Sequence, residues 1–450
     1  MQHIQGISRH QLQMSSLEDK ITADNPVRFI DAFVNHIDPV KIGFQPKILK
    51  TEGRPNFRLE VFLKLYLYGY LNGVRSSRRL EKECFRNIEV QWLLEAIYPN
   101  YHSIADFRKD NPKALKQLFK LFVSFLKDAE LIAGDTIAID GTKSRAHNSK
   151  KANYNQKKID KHKAYIDAKS QEYLDQLEQN DIQENPVAIK NIQQKIERLK
   201  QNKIKYELLE EELKNSGEPQ ISTTDADARA LLVQGQVVEV SYNIQAAVDS
   251  KHNLVVATHT INRNDKNALA AIALEVKENL ALETFTVLVD KGYHNGRELH
   301  TCKQNNITTI VAVPEQGKSN ENGTQPEYLV SKFIYNKENN SYTCPEGKTL
   351  TTTGSWHKKT GRTEESGYNF QKYRTPACKT CLVKDLCTSR NGGREIDRSQ
   401  YADAVEENHQ RYKDNPQLYR KRQEINEHIF GTIKRKWGYN YTDLVGLEKV

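Results

Sequence analysis

The sequence predicts an α/β fold, and three observations carry that prediction. Asp135-Thr-Ile-Ala-Ile-Asp140 and Phe285-Thr-Val-Leu-Val-Asp290 have the length and β-branched content of buried strands, and each ends in a carboxylate. Val238 to Ala247, Leu254 to Ile261 and Ile307 to Val313 are further β-branched, apolar runs. Lys266 to Leu280 is an amphipathic helical segment among them. Strands that alternate with helices build an α/β sheet.

The elements follow in chain order. Residues 1–130 read as an all-α module. Val61, Phe62, Leu65, Tyr66 and Tyr68 to Leu71 recur at spacings of three and four, as a buried helix face does. Ser103-Ile-Ala-Asp106 has the form of a capping box, with Asp for the usual Glu, and predicts a helix running from there toward Leu131. Arg75, Arg78, Arg79 and Lys82 lie at helical spacing, as candidates to grip phosphates or as a solvated face. Residues 131–450 form the α/β part, which is interrupted twice. Residues 144–215 carry Ile189, Ile192, Ile196 and Leu199 at helical spacing among many charged residues, and read as a helical hairpin or short coiled coil. The start of this segment is basic, with eight Lys or Arg against one Asp from Lys143 to Lys163. Residues 317–403 are rich in Gly, Thr, Asn and Lys and hold four clustered cysteines.

Composition narrows the function classes. At 37% hydrophobic and 28% charged residues the chain is hydrophilic, and it contains no apolar run of about 18 residues that would span a membrane. Met1 to Lys20 lacks the apolar core of an export signal, so a cytoplasmic location is expected. The net charge of +9 favours a polyanionic partner. Six cysteines in 450 residues argue against a disulfide scaffold. Cys344, then Cys378-Lys-Thr-Cys381, then Cys387 bring four thiols within one short stretch, a pattern suited to a structural zinc ion. Cys84 sits in a helical context and is expected in the core. No glycine-rich phosphate loop and no Ser/His/Asp order is present.

Acids at the C-terminal ends of central strands point into the crevice where α/β sheets bind ligands. Each is costly to bury unless something such as a divalent cation pairs with it, although a turn cap is the plainer reading of either acid alone. A third acid, Glu427, lies on a C-terminal helix. Arg420, Glu427 and Lys434 are spaced by seven and share one face, while Ile425, Ile429 and Ile433 form a separate apolar ridge. His294 follows Asp290 by four residues and reads as a loop histidine. His428 is turned about 100° from Glu427 and is set aside.

These residues resemble the bacterial insertion-sequence transposases with an RNase H-like DDE domain, within them the eleven-eighty-two group. The resemblance rests on several stretches. They are Gly53-Arg-Pro to Asn111, Ile139-Asp-Gly-Thr-Lys143, Thr224-Asp-Ala-Asp-Ala-Arg229 with Tyr242 to Asp249, Val289-Asp-Lys-Gly-Tyr293, and Glu427-His-Ile-Phe-Gly-Thr-Ile-Lys434. It implies an RNase H-like core, a mixed sheet flanked by helices, behind a DNA-binding N-terminal module. It also implies that Asp140, Asp290 and Glu427 bind two Mg²⁺ (or Mn²⁺) ions and that Lys434 contacts DNA near the cleavage point. Lys143, Arg420 and Arg422 join Arg75, Arg78 and Arg79 as candidate DNA contacts.

The implied activity is metal-dependent cleavage at element ends followed by strand transfer. The partners would be double-stranded DNA, both terminal inverted repeats and target, and at least a second copy of the chain. In related families two residues separate a Tyr from an Arg, and three more separate that Arg from the catalytic Glu. Here Tyr419 and Arg422 keep the first gap, but four residues separate Arg422 from Glu427, so either the helix register differs or Arg420 takes the cationic role. The chain also stops at Val450, where the family continues. A shortened DNA-binding product without catalysis is therefore the alternative reading.

Overall fold

The structure is a computed structural model that describes residues 8, 10–12, 14–45, 56–147, 150–182, 186–233, 237–314, 324–361 and 367–450. Gly53-Arg-Pro of the sequence motif and the expected boundary at residue 317 lie outside the described residues.

The first part is helical: α1 (Pro26–His36), α2 (Leu59–Leu71), α3 (Ser77–Arg86), α4 (Ile88–Leu93), α5 (Tyr101–Asp110) and α6 (Pro112–Asp128). Asn25 caps α1 by accepting from the Val27 N–H, and Pro26 opens the helix where a missing donor costs nothing. Leu63, Leu65, Leu80, Val90, Leu93 and Ile104 form the centre of a core that belongs to this module, and Cys84 is buried within it. The long helix expected from Ser103 is two. Asn100, not Ser103, caps α5, accepting from the Ser103 N–H at 2.9 Å. The chain breaks at Asn111 because Pro112 disfavours helical geometry in the residue before it.

A mixed sheet follows. Its strands are interrupted and flanked in this order: β1 (Thr136–Arg145), β2 (Asn153–Tyr154), α7 (Gln156–Ile182), α8 (Pro186–Ser216), β3 (Ile221–Ser222), β4 (Arg229–Val233), β5 (Val237–Asp249), β6 (Val255–Ile261), α9 (Leu269–Leu280), β7 (Phe285–Val289), α10 (Gly296–Gln304) and β8 (Ile307–Val311). The central sheet runs β4-β5-β1-β7-β8, with β6 also paired to β5. β1, β7 and β8 are parallel, and β5 is antiparallel to β1, β4 and β6. The hairpin α7–α8 leaves this sheet through the small ladder β2–β3, over a core of its own that includes Ile159, Leu209 and Leu213.

The cysteine-containing stretch builds two three-stranded sheets from β9 (Ile334–Asn336), β10 (Ser341–Thr343), β11 (Thr349–Thr351), β12 (Trp356–Lys359), β13 (Tyr368–Tyr373) and β14 (Ile396–Ser399), with α11 (Lys384–Cys387) before β14. α12 (Ala402–Asp414) and α13 (Pro416–Gly431) complete the chain, followed by a π-helical turn, Thr432–Lys436. α12 closes the β8 edge. The buried Asn408 accepts from the Val311 N–H at 2.9 Å and donates to its carbonyl at 3.0 Å, so no strand edge is left open there.

Helices cover both faces of the sheet because its strands alternate apolar side chains between them. On one face Ile137, Ile139, Val287 and Val289 pack with α9, α10 and Val123 of α6. On the other, Ala138, Val248, Leu288 and Ile310 pack under Ile425 and Ile429 of α13.

Candidate active site

Two carboxylates meet on the α13 face. Ala138 and Leu288 are neighbours in the parallel pair β1–β7. Continuing that register by two residues sets Asp140 beside Asp290, on the face that Ile425 covers. Asp140 is not the last residue of its strand, as the sequence suggested. β1 continues to Arg145 because β5 stays paired with it, from Asp140 opposite Ala246 to Arg145 opposite Ser241. Asp140 therefore sits beyond the point where β7 leaves β1, in the cleft opened by that divergence. Asp290 does follow its strand directly and caps the next turn, accepting from the Gly292 N–H at 2.8 Å.

The electrostatics of the pair are unbalanced. Burial pushes the Asp140 carboxyl above its ordinary range, and the charges of Asp290 and Asp265 add to that. The Gly141 N–H and the Arg422 guanidinium act in the opposite direction without overcoming it. Arg422 approaches Asp140 Oδ2 only to 3.8 Å, lies over the Tyr419 ring, and leaves its own Nε unpaired among the described residues. One turn further along α13, Asn426 is 1% exposed and neither atom of its amide has a partner among the described residues. A buried polar group left in this state costs about 1–3 kcal/mol.

The third acid is not brought into the cleft. Glu427 is exposed, and no hydrogen bond or ion pair engages it among the described residues. The apolar ridge of α13 decides this. Ile425 and Ile429 face the sheet, and at 100° per residue Glu427 is turned about 200° from Ile425. Arg420 shares its exposed side. Lys434 does not stay on that face, because the π-helical turn winds fewer degrees per residue. Its ammonium instead donates to the Lys143 carbonyl at 2.6 Å, and burial lowers its pKa.

Other expected cations also have partners inside the protein. Arg75 donates to the Tyr441 carbonyl at 3.2 Å, stands 3.5 Å from Asp443 and lies over the rings of Tyr439 and Tyr441. It is a joint between the helical module and the C-terminal segment, which also adds to the end of β1 through Arg145 and Thr442. Lys143 pairs with Asp265 at 3.2 Å on the opposite sheet face from Asp140. Arg78 and Arg79 are exposed on α3, with Arg78 over the Tyr101 ring. His294 keeps a buried, unpartnered Nε2, and burial lowers its pKa. Cys344, Cys378, Cys381 and Cys387 all line one small cavity in the cysteine-containing stretch, away from the carboxylates.

Sequence reading missed a polar network beneath Asp140. Asn243 and Gln245 donate to Asp265 Oδ1 at 2.8 and 2.9 Å, Lys143 donates to Oδ2, and the buried Tyr293 hydroxyl donates to Gln245. Gly141 leaves room for this network. A Cβ at this position would collide with Gln245 Nε2 and Asp265 Oδ1. The alternation of polar residues in Tyr242-Asn-Ile-Gln, inside an otherwise apolar strand, was the available signal. The familial Thr224-Asp-Ala-Asp segment is also structural: Asp225 accepts from the buried Tyr242 hydroxyl at 2.7 Å, and Asp227 from the Leu447 N–H at 2.8 Å.

The donor chemistry suits a divalent cation in part. Two adjacent, half-buried carboxylates with a distant counter-charge are hard oxygen donors short of positive charge. Among the described residues, no three His, Cys, Asp or Glu side chains stand together as a closed metal shell. Asp140 and Asp290 fit the ion; Glu427, as placed, does not.

Comparison with known families gives the class of protein. A transposase domain (DUF772) matches residues 15–110, the helical module, and a transposase DDE domain matches residues 343–450, which include α12 and α13. No curated protein and no solved structure matches the chain. The two matches define an enzyme of DNA transposition, a polynucleotidyl transferase and nuclease. Together the two matches indicate an insertion-sequence DDE transposase.

Proposed function

We propose that the strand cleavage and joining steps of transposition run at the cleft between Asp140 and Asp290. The observation that carries this reading is the parallel register of β1 and β7, which sets the two carboxylates side by side under α13. The strand order and directions support an RNase H-like core, with β1, β5, β6, β7 and β8 as its five strands. Residues 1–130 would be the DNA-binding module and 131–450 the catalytic domain, with 144–215 and 317–403 as excursions from it.

Asp140 and Asp290 would hold Mg²⁺ or Mn²⁺, which when bound activates a water or 3′-hydroxyl and neutralises the leaving oxygen. Arg422, within 3.8 Å of Asp140, would meet the scissile phosphate from the α13 side. Arg78, Arg79 and Arg420, which are exposed, would contact the DNA backbone. Glu427 would join the two aspartates only after α13 turns about its axis, exchanging the buried Asn426 for the acid beside it. The substrate is double-stranded DNA, terminal repeats and target, and joining two ends calls for at least two copies of the chain. Among the described residues no helix is long and apolar enough to cross a membrane.

The test is cleavage and strand transfer of a labelled terminal-repeat DNA in Mg²⁺, comparing wild type with Asp140→Asn, Asp290→Asn and Glu427→Gln. Loss of both steps in all three, with DNA binding kept, is expected. Full activity in either aspartate variant overturns the site. Full activity in Glu427→Gln alone removes that residue from it. Binding without cleavage in the wild type would favour the non-catalytic reading.

A further inference from the structure

The cysteine-containing stretch has little to hold it together by burial alone. Its strands are three to six residues long, and its core consists of five buried residues, Phe333, Tyr342, Leu350, Tyr373 and Ile396. A core this small contributes little stability by burial, and a structural metal is one of the means by which small modules add to it. None of its four thiols is in a disulfide. All four, from three separate turns of the chain, line the same cavity of about 30 Å³, one wall of which is Phe333 and Leu350.

The backbone around each thiol is shaped for a ligand. After β10 the chain turns at Cys344-Pro-Glu-Gly347, where Gly347 takes φ +73° and donates to the Cys344 carbonyl at 2.8 Å. This turn aims the Lys348 N–H at Cys344 Sγ, 3.2 Å away. Cys378 and Cys381 occupy one short turn, and Cys387 ends α11 six residues later. Gly393, at φ +90°, lets the following loop close over Cys378, where a Cβ would collide with the cysteine's own Cβ. Burial raises the Cys387 thiol, Arg394 opposes the rise and the other three cysteines add to it, so all three lie within electrostatic reach of Cys387.

We propose that Cys344, Cys378, Cys381 and Cys387 bind one structural zinc ion. Four sulfur donors without an open position are the make-up of a closed, non-catalytic zinc site. Among the described residues the sulfurs do not form a coordination shell in this structure, so binding draws the four side chains inward into the cavity they line. Four thiols give up four protons to solvent as the ion takes the thiolates, which relieves the mutual repulsion of the ring and makes affinity fall in acid. The consequence reaches the catalytic helices. β14 of this module carries Arg398, which is ion-paired to Asp403 and Glu406 of α12, and α13 follows directly. The ion would thus fix the base from which α13 is held over the carboxylate cleft.

The experiment uses the full chain, purified without chelator from metal-replete cells, with zinc measured by elemental analysis and native mass spectrometry. About one equivalent per chain is expected, falling at least tenfold in Cys378→Ser/Cys381→Ser and unchanged in Asp290→Asn. Because the cysteine variant can fail to fold, the wild type is also reconstituted with Co²⁺, where intense thiolate-to-cobalt charge-transfer bands are expected. Zinc below roughly a tenth of an equivalent, zinc retained by the cysteine variant, or a cobalt spectrum without thiolate bands each overturns the proposal. Loss of zinc on Asp290→Asn would move the ion to the carboxylate cleft and overturn it as well.

Discussion

The two faces of the central sheet carry the same kinds of polar group and finish them differently. On the α9 face Asp265 is met by Lys143, Asn243 and Gln245, and Gln245 by Tyr293, so the buried charge is surrounded by donors. On the α13 face Asp140 and Asp290 oppose each other, Arg422 stands off at 3.8 Å, and the amide of Asn426 and the Nε of Arg422 have no partner among the described residues. The first face is complete as folded and acts as scaffold. The second is short of positive charge and, among the described residues, of hydrogen-bond partners, which is what the proposed cation site requires. The contrast can be tested one residue at a time.

The largest expected effect is on activity. Asp290→Asn should cut strand transfer roughly a thousandfold or more, the several kcal/mol of charge stabilisation that a metal centre supplies. Its thermal stability should be unchanged or higher, since one of two facing charges is gone. A matching loss of stability would put Asp290 with the scaffold instead.

Next is Asp265→Asn, which strands the half-buried Lys143 and should cost about 3 kcal/mol in denaturant unfolding. Burial pushes the Asp265 carboxyl up, but hydrogen bonds from Asn243 and Gln245 and the Lys143 charge outweigh it and hold the group below its ordinary range. A depressed folded value stabilises fully above the unfolded value, near 4, and is lost as pH falls through the folded value. The gap between wild type and Asp265→Asn should therefore close in acid; a gap that widens there would contradict the pairing.

Gly141→Ala should destabilise by about 1–3 kcal/mol, by driving a methyl group into Gln245 and Asp265. A neutral result would mean that the network is looser than its distances indicate. The smallest effect belongs to Asn426→Leu, which replaces an unpaired buried amide by an apolar group of similar volume and should stabilise by about 1 kcal/mol. A clear loss of stability in thermal melts would show that the amide is satisfied after all.

The strands ending in Asp140 and Asp290 were legible because apolar, β-branched runs closed by an acid have few other uses. Their adjacency was not, since the register of parallel strands is set by packing far along the chain rather than by local pattern. For Glu427 the sequence held two signals that disagreed. Its spacing from Arg420 and Lys434 suggested a functional face, while Ile425 and Ile429 marked the opposite side for burial, and burial decided the orientation. The π-helical turn that removes Lys434 from that face has no local signature in Thr432–Lys436. Arg75 read as a surface cation because its partners, Tyr441 and Asp443, lie at the far end of the sequence.

That joint also sets an order of events during synthesis. Arg75 and the Tyr441 carbonyl it binds are separated by 366 positions. At 5–20 residues per second the helical module leaves the ribosome roughly 20–70 s before the segment that anchors it exists. For that interval the module must hold its shape through its own buried core, and the aromatic seat for Arg75 is delivered long after the helices it joins.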